Sequence, residues 1–172
     1  MLRNFYILLL LALFAAASCD KEDRKNTYAD QETRIDNYVS TLSSDYTVVY
    51  NRGVPRIIVA EGISGGNVLK KGDSLYFHFS GYVFSSGKGS LFATNDASVA
   101  EANGFTTDGQ PYMAQFGKSP LIKGLELGLE GAKEGEHCYI IFSARYGYGN
   151  QIMASIPKLT PLFFDITIDK VF

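Results

Sequence analysis

The stretch that decides the fold runs from Phe116 to Tyr148 and reads FGKSPLIKGLELGLEGAKEGEHCYIIFSARYGY. Glycines punctuate it at predicted turns, and a short amphipathic helix is predicted in its centre. Its aromatic residues have no cluster of acids, bases or metal ligands beside them. This combination indicates a site that works by shape and apolar contact rather than by proton transfer.

The central helix is predicted to begin at Ser119 and to stop at Gly131. Ser119 is a suitable N-cap, and Pro120 suits the first helical position because its missing N–H needs no partner there. An apolar face repeats every four residues. It is formed by Leu121, Leu125 and Leu129, with Ile122 beside them.

The segments around this helix favour β-structure, with aromatic, β-branched or alternating side chains. Gly81 is predicted to bend one strand, and residues 85–89 form a hairpin turn. Residues 93–110 show little periodicity and are predicted to form a long surface loop. Strands are predicted at residues 75–79, 82–84, 91–92, 139–143 and 162–168. The predicted fold class is α+β, a curved antiparallel β-sheet wrapped around one short α-helix.

Length and composition limit the function classes. The chain has 172 residues, 46% of them hydrophobic and 20% charged, which is typical of one globular domain with a core. Its formal net charge is -2 and it has no long basic run, so no nucleic-acid partner is predicted. It contains 12 Phe, 11 Tyr and no Trp, so any aromatic pocket must be built from Phe and Tyr.

Residues 1–18 are predicted to be a signal peptide, because the apolar run 5–17 is too short to span a bilayer as a mature helix. Small residues just before Cys19 resemble a bacterial lipobox, in which the cysteine is lipidated. The prediction is therefore a membrane partner through a lipid anchor on Cys19 and a place in the bacterial cell envelope. A plain secretory signal with an incidental cysteine is the alternative.

Residues 19–26 are predicted to comprise the lipidated cysteine and a flexible tether, because the segment after the cysteine is densely charged. The acidic patch that begins at Asp20 resembles surface-export signals of some Gram-negative bacteria. It favours the outer membrane or the cell surface.

Residues 27–60 are predicted to be an N-terminal extension, and residues 61–172 the main domain. The extension consists of an amphipathic helix at 27–43, followed by a strand pair at 46–50 and 56–59. It is too short to be a second domain. We expect it to pack on the sheet or to position the domain above the membrane.

Other reactive residues give no signal for metal or redox chemistry. Cys138 lies in an apolar run, which favours a buried and inert thiol. If Cys19 carries a lipid, no intrachain disulfide is expected. His78 and His137 lack the spacing of metal ligands, so no metal is predicted. No cofactor is implied.

From Lys71 onward the chain resembles the FKBP-type peptidyl-prolyl isomerases. HFSG at 78–81 is similar to the first core strand of the family, and FGKSPLIKGL at 116–125 to its strand-to-helix pocket floor. YGYG at 146–149 is similar to the tyrosine loop. Further similar segments follow the family order: LFATN at 91–95, IP at 156–157 and LFFDI at 162–166.

The resemblance implies an apolar pocket that binds proline-containing polypeptides. In the family the tyrosine matched by Tyr148 and the backbone at the residue matched by Ile156 hydrogen-bond the substrate, so these two are the predicted catalytic residues. Macrolide inhibitors of the rapamycin type are further candidate ligands. The substrate-binding residues implied are Phe79, Phe92, Tyr112, Leu121, Ile122, Leu125 and Phe164. Singly, each phenylalanine in this set is more often a packing residue than a site residue.

Two positions depart from the family pattern. Ala93 stands where the family has an acidic residue that is tied into the hydrogen bonding of the pocket. Asp96 is a candidate substitute from the neighbouring loop. Leu125 replaces an aromatic residue at the pocket floor and is expected to reshape it.

Three functions are compatible with these residues. The first is an isomerase that assists the folding of envelope or exported proteins. The second is a proline-peptide-binding chaperone with little or no turnover, which the alanine at position 93 favours. The third is a membrane-tethered interaction domain with contacts in the N-terminal helix and in the 93–110 segment.

Overall fold

The computed structural model describes the backbone of residues 2–172 and the side chains of residues 21–172. The predicted signal peptide, 1–18, and the side chain of Cys19 lie outside the residues described at side-chain level. Within the described part of the chain, no helix is long and apolar enough to cross a membrane.

The described residues form three helices and seven strands in one antiparallel sheet. The sheet has the strand order β1-β2-β6-β7-β3-β4, and β5 pairs with the first half of β3. This arrangement confirms the predicted α+β class. The elements are α1 (Leu2–Leu42), β1 (Thr47–Asn51), β2 (Val54–Ala60), β3 (Ser74–Phe84), β4 (Lys88–Thr94), α2 (Ala97–Asn103), β5 (Tyr112–Gln115), α3 (Lys123–Leu129), β6 (His137–Phe142) and β7 (Leu162–Val171).

The two faces of the sheet are covered by different helices. Consecutive residues of a strand point to opposite faces, so in β7 Phe164 joins the core against α3 while Phe163 joins the core against α1. Ile35 and Val39 of α1 complete this second core and are only 3% and 2% exposed. The expectation that the N-terminal helix packs on the sheet is therefore met.

The predicted N-terminal strand pair is also present. β1 pairs with β2 from Thr47 opposite Ile58 to Asn51 opposite Val54. The turn between them is left-handed at Arg52 and at Gly53, with φ of 50° and 84°. Because β2 pairs in turn with β6, the extension is part of the same sheet.

The predicted flexible tether is wrong for the described residues 21–26, which are helical and continue into the packed part of α1. Lys, Glu and Arg are good helix formers, so a charged segment joined to a packed helix prolongs it. A dense charge pattern alone does not distinguish a solvated helix from a flexible linker.

The predicted surface loop at 93–110 is wrong over its central part, where α2 lies. Asp96 caps this helix, since its carboxylate accepts hydrogen bonds from the backbone N–H groups of Ser98 and Val99. The helix ends at Gly104, which is left-handed with a φ of 70°. Only Ala100 of α2 is buried, so the helix has too small an apolar face to produce a visible periodicity.

The predicted start of the central helix is also wrong. α3 begins at Lys123, because the preceding Ile122 has a φ of -57° and a ψ of 137° and is not helical. The Ser119 hydroxyl instead accepts a hydrogen bond of 2.9 Å from the Gln115 N–H. Leu121 and Ile122 therefore belong to an extended segment before the helix.

Candidate active site

An apolar cavity of about 190 Å³ lies on the face of the sheet that carries α3. Its lining contains no charged side chain. It brings together eight of the nine residues predicted for the pocket: Phe79, Phe92, Tyr112, Leu121, Ile122, Leu125, Tyr148 and Phe164. Phe77, Ala93 and Pro120 complete the lining.

Aromatic rings form the walls of the cavity. The ring of Phe92 meets that of Phe164 edge-on, at a centroid distance of 5.7 Å, and Phe79 lies 6.2 Å from Phe164. Gly81 of β3 makes room for this arrangement, because a Cβ atom at its position would lie 2.6 Å from the ring of Phe92. The glycine that interrupts the predicted strand is thus needed for the wall.

The floor of the cavity is set by the close approach of α3 to the sheet. A Cβ atom at Gly124 would lie 2.2 Å from the ring of Phe142, and one at Gly128 would lie 2.3 Å from Ile140. These glycines let the helix backbone rest directly on β6. Leu125, between them, reaches the cavity, and it is 5% exposed.

Arg56 of β2 fixes the other end of α3. Its guanidinium donates hydrogen bonds to the carbonyls of Gly128 at 2.9 Å, Glu130 at 2.8 Å and Gly131 at 3.2 Å. A cation is favoured at this end, where helix carbonyls have no partner within the helix. Its Nε also lies 3.0 Å from Glu136, and both side chains are 4% exposed. This Nε–Oε1 contact is an ion pair rather than an aligned hydrogen bond.

Two residues that line the cavity, Tyr148 and Ile122, carry unpaired donors. The Tyr148 hydroxyl has no hydrogen-bond partner among residues 21–172, and burial raises the pKa of Tyr148 above its ordinary value. The phenol therefore stays protonated and can donate at neutral pH. The backbone N–H of Ile122, just before α3, likewise has no acceptor within the described chain.

Ile156 is the predicted site residue that the structure does not bring to the cavity. Its side chain is buried in the core and 3% exposed, and it is not part of the lining. Its N–H donates to the Met153 carbonyl at 2.8 Å. The Ile122 N–H is unpaired, and sequence reasoning missed it because a cap at Ser119 would have satisfied an N–H group two or three residues further on. The first N–H groups of a helix lack partners within it, so a correct helix start would have revealed the donor.

Comparison with known proteins identifies the family. The model of the family described as FKBP-type peptidyl-prolyl cis-trans isomerase matches residues 65–169, which is more than half of the chain. The chain belongs to this family. The resemblance seen in the sequence is thereby confirmed.

Individual relatives support this family assignment. FK506-binding protein 1 of Aspergillus oryzae is 26% identical over 122 residues, which cover 69% of this chain and 98% of that protein. FK506-binding protein 3 of Kluyveromyces lactis is 28% identical over 113 residues, which cover 65% of this chain and 24% of that protein. The chain spans about a quarter or less of the length of such longer fungal relatives.

Solved structures show the same fold. The crystal structure of FkpA from Escherichia coli superposes with a TM-score of 0.60 at 21% identity, over 96% of this chain and 71% of that chain. The three FKBP domains of wheat FKBP73 give a TM-score of 0.59 at 12% identity, over 74% of this chain and 49% of that chain.

The position of the family's acidic residue is occupied by Ala93, which lines the cavity without contributing a polar group. The suggested substitute, Asp96, does not line it. Its Oδ1 accepts hydrogen bonds from the Ser98 hydroxyl at 2.6 Å and from two backbone N–H groups. The bond from the Ser98 hydroxyl, followed by that from the Val99 N–H, lowers the pKa of Asp96. The carboxylate is thus engaged in capping α2, and the substitution suggested from sequence is wrong.

Cys138 and the two histidines do not line the cavity. Cys138 is fully buried, as predicted, and burial raises the pKa of its thiol well above the ordinary value. It therefore stays protonated. His78 pairs with Asp169 at 2.8 Å and His137 with Asp165 at 2.7 Å. Among residues 21–172 no group of three or more ligating side chains has the arrangement of a metal site.

Proposed function

We propose that this protein is a peptidyl-prolyl cis-trans isomerase that binds Xaa-Pro segments of polypeptide in the aromatic cavity. One observation carries the proposal. The lining contains no charged group, yet two of its residues have an unpaired donor, the hydroxyl of Tyr148 and the backbone N–H of Ile122. A site of this kind can hold an apolar ring and orient the carbonyl groups beside it. Its lining has no carboxylate, imidazole, amine or thiol to serve as a general base or nucleophile.

This chemistry suits amide rotation. Resonance gives the peptide bond a rotation barrier of ~18–20 kcal/mol, and twisting the bond removes that resonance. The twisted amide has less charge separation than the planar one, so an apolar cavity disfavours the planar ground state relative to it. Donors that hold the flanking carbonyls keep the segment in the twisted geometry. Stabilisation that is stronger in the twisted state by about 4 kcal/mol gives a thousandfold acceleration.

The test is cis/trans exchange of a short Xaa-Pro peptide, followed by NMR with and without the full-length protein. We expect faster exchange at protein concentrations far below that of the peptide. Unchanged exchange rates together with unchanged peptide signals would contradict the proposal. Displacement of the peptide by a rapamycin-type macrolide tests the candidate inhibitor site. Several fungal relatives are FK506-binding proteins by name.

A second candidate is a proline-peptide-binding chaperone without turnover. Ala93 favours it, because the carboxylate that the family ties into the pocket's hydrogen bonding has no counterpart in the lining. Peptide signals that shift on binding while the exchange rate stays constant would identify this function. Faster exchange would exclude it.

For the cellular location we propose a lipid anchor on Cys19 in a bacterial cell envelope, with exported or envelope proteins as clients. The support is the sequence before and after this cysteine. We expect Cys19→Ser to move the protein from the membrane fraction to the soluble fraction. Protease added to intact cells distinguishes the outer surface, where the protein is cut, from an inner location, where it is protected.

A further inference from the structure

We propose that Gln31 of α1 is a positioning residue for Tyr148, an inference that rests on the proposed isomerase function. Gln31 is a polar side chain that is only 5% exposed. It lies one helical turn before Ile35 and two before Val39, on the helix face that packs against the sheet. An amide buried at this place needs hydrogen-bond partners.

Both ends of the Gln31 amide bind the loop that carries Tyr148. The Oε1 atom accepts a hydrogen bond of 2.8 Å from the Ala144 N–H, where the loop begins. The Nε2 atom donates one of 2.7 Å to the Leu159 carbonyl, where the loop ends. A single side chain thus joins the two ends of residues 144–159.

Two backbone hydrogen bonds complete the connection between these residues. The Gly149 N–H donates to the Ala144 carbonyl at 2.9 Å, and the Leu159 N–H donates to the Gly149 carbonyl at 2.8 Å. Four hydrogen bonds therefore connect Gln31, Ala144, Gly149 and Leu159 in a closed ring. Gly149 directly follows Tyr148, so the ring fixes the peptide unit from which the phenol extends into the cavity.

The ring also holds a strained residue. Leu159 has a φ of 54°, in the left-handed region that is costly for a residue with a Cβ atom. Both its N–H and its carbonyl are bonded within the ring, which offsets that cost. Without Gln31, its carbonyl loses a buried partner and the loop can relax to an ordinary backbone conformation.

Neighbouring contacts place the same helix against the same loop. The Ser143 hydroxyl donates to Glu32 at 3.1 Å. A Cβ atom at Gly149 would lie 3.7 Å from the Tyr28 hydroxyl, so the helix runs in contact distance of the residue after Tyr148. Tyr28, Gln31 and Glu32 all precede residue 65, where the match to the family begins. The loop support is thus supplied by a segment outside the family domain.

The test compares Gln31→Met, which keeps the length of the side chain and removes both hydrogen bonds, with the wild-type full-length protein. Asn37→Met is the matched control, because Asn37 is an exposed amide on the same helix. We expect kcat/KM to fall roughly tenfold in Gln31→Met and to stay constant in Asn37→Met. In a Tyr148→Phe background, Gln31→Met should lower kcat/KM by less than a further factor of about two, because both changes act on the same hydroxyl.

Amide hydrogen exchange tests the positioning without any need for turnover. We expect exchange at Ala144, Gly149 and Leu159 to accelerate roughly tenfold or more in Gln31→Met, while β6 and β7 keep their protection. If that variant does not fold, Gln31→Glu takes its place. It keeps the acceptor for Ala144 and removes the donor to Leu159, so acceleration centred on Leu159 is expected.

Three results would overturn the inference. They are unchanged exchange in the loop, an equal rise of exchange throughout the sheet, and full additivity with Tyr148→Phe. A wild-type protein without isomerase activity would instead refute the proposed function and leave the exchange experiment decisive for the positioning.

Discussion

Three properties of the partly buried Tyr148 suit it to bind a ligand. Its ring lines an apolar cavity, its hydroxyl has no partner among residues 21–172, and burial raises the pKa of the phenol. Its loop is bound to α1 through Gln31. A donor held in this way is ready for a ligand carbonyl without first breaking a bond inside the protein.

We expect Tyr148→Phe to lower kcat/KM about tenfold, the value of one hydrogen bond of roughly 1.4 kcal/mol. Its free energy of unfolding should change by less than about 0.5 kcal/mol, because no bond in the free protein is lost. Tyr146→Phe is the matched control, since that hydroxyl bonds the Arg52 carbonyl at 3.3 Å and lies outside the cavity lining. The cis/trans exchange of the Xaa-Pro peptide, followed by NMR, and thermal unfolding compare the two variants. Equal turnover in Tyr148→Phe and wild type would contradict the role given to the hydroxyl.

At the scale of elements, the two short helices have different relations to the site. α3 rests on β6 through glycines and bears the floor of the cavity, while Arg56 and Glu136 fix its C-terminal end. α2 is held mainly by the cap at Asp96 and buries little apolar surface. A substitution in α3 should therefore disturb the packing of the core, whereas one in α2 should affect only the helix itself.

We expect Asp96→Ala to cost about 1 kcal/mol of stability at neutral pH, the usual value of an N-cap, and to leave turnover unchanged. The pKa of Asp96 is lowered in the folded protein. Its stabilising effect is therefore complete above the ordinary aspartate pKa and is lost as the pH falls through the lowered one. The stability difference between variant and wild type should vanish in strong acid.

Urea unfolding as a function of pH measures this effect. Glu101→Ala, an exposed position in the same helix, is the control. A loss of turnover in Asp96→Ala would restore a role for this carboxylate in the site.

We expect Arg56→Met to cost about 3–5 kcal/mol, because it leaves Glu136 buried without its partner and three carbonyls at the end of α3 without a donor. Replacing Glu136 by Met in the same protein should recover part of that loss, since no uncompensated charge remains. Lys123→Ala is the comparison, because it removes only an exposed ion pair with Glu126. Urea unfolding of wild type, Arg56→Met, the double variant and Lys123→Ala measures these differences in stability. A loss below about 1 kcal/mol in Arg56→Met would show that the pair is not buried in solution.

At the scale of the whole molecule, the sheet is shared between the family domain and the segment before it. The family match begins at residue 65, yet β2 lies between β1 and β6 in the sheet and α1 covers its second face. The N-terminal segment is therefore a structural part of the folded unit. Through Gln31 it also reaches the loop that carries Tyr148.

We expect Ile35→Ala to cost about 2–5 kcal/mol, the usual range for such a truncation at a buried site. Ile35 is 3% exposed between α1 and the sheet. Arg34→Ala, at an exposed neighbouring position, should change stability by less than about 0.5 kcal/mol. Thermal unfolding of both variants makes the comparison. Equal stability of Ile35→Ala and wild type would mean that α1 does not pack on the sheet in solution.

The sequence by itself determined the sheet strands and most of the cavity lining. Alternating side chains and turn glycines report local backbone geometry, so the long strands β3 and β7 were correctly predicted. The register of β3 against β4 shifts directly after Gly81, where an interruption was predicted. The aromatic wall, including Phe92 and Phe164, followed from motifs in family order. β5 was missed because a strand of four residues carries too little pattern.

Only the tertiary structure decided which polar groups remain unpaired at the cavity and what holds them in place. The N–H groups of Ile122 and Ile156 look alike in sequence, yet one is unpaired and the other is bonded to Met153. Asp96 and Gln31 look like ordinary polar residues, yet one caps a helix and the other closes a ring around a loop. Hydrogen-bond partners far apart in the chain are brought together only by packing, and no local pattern records them.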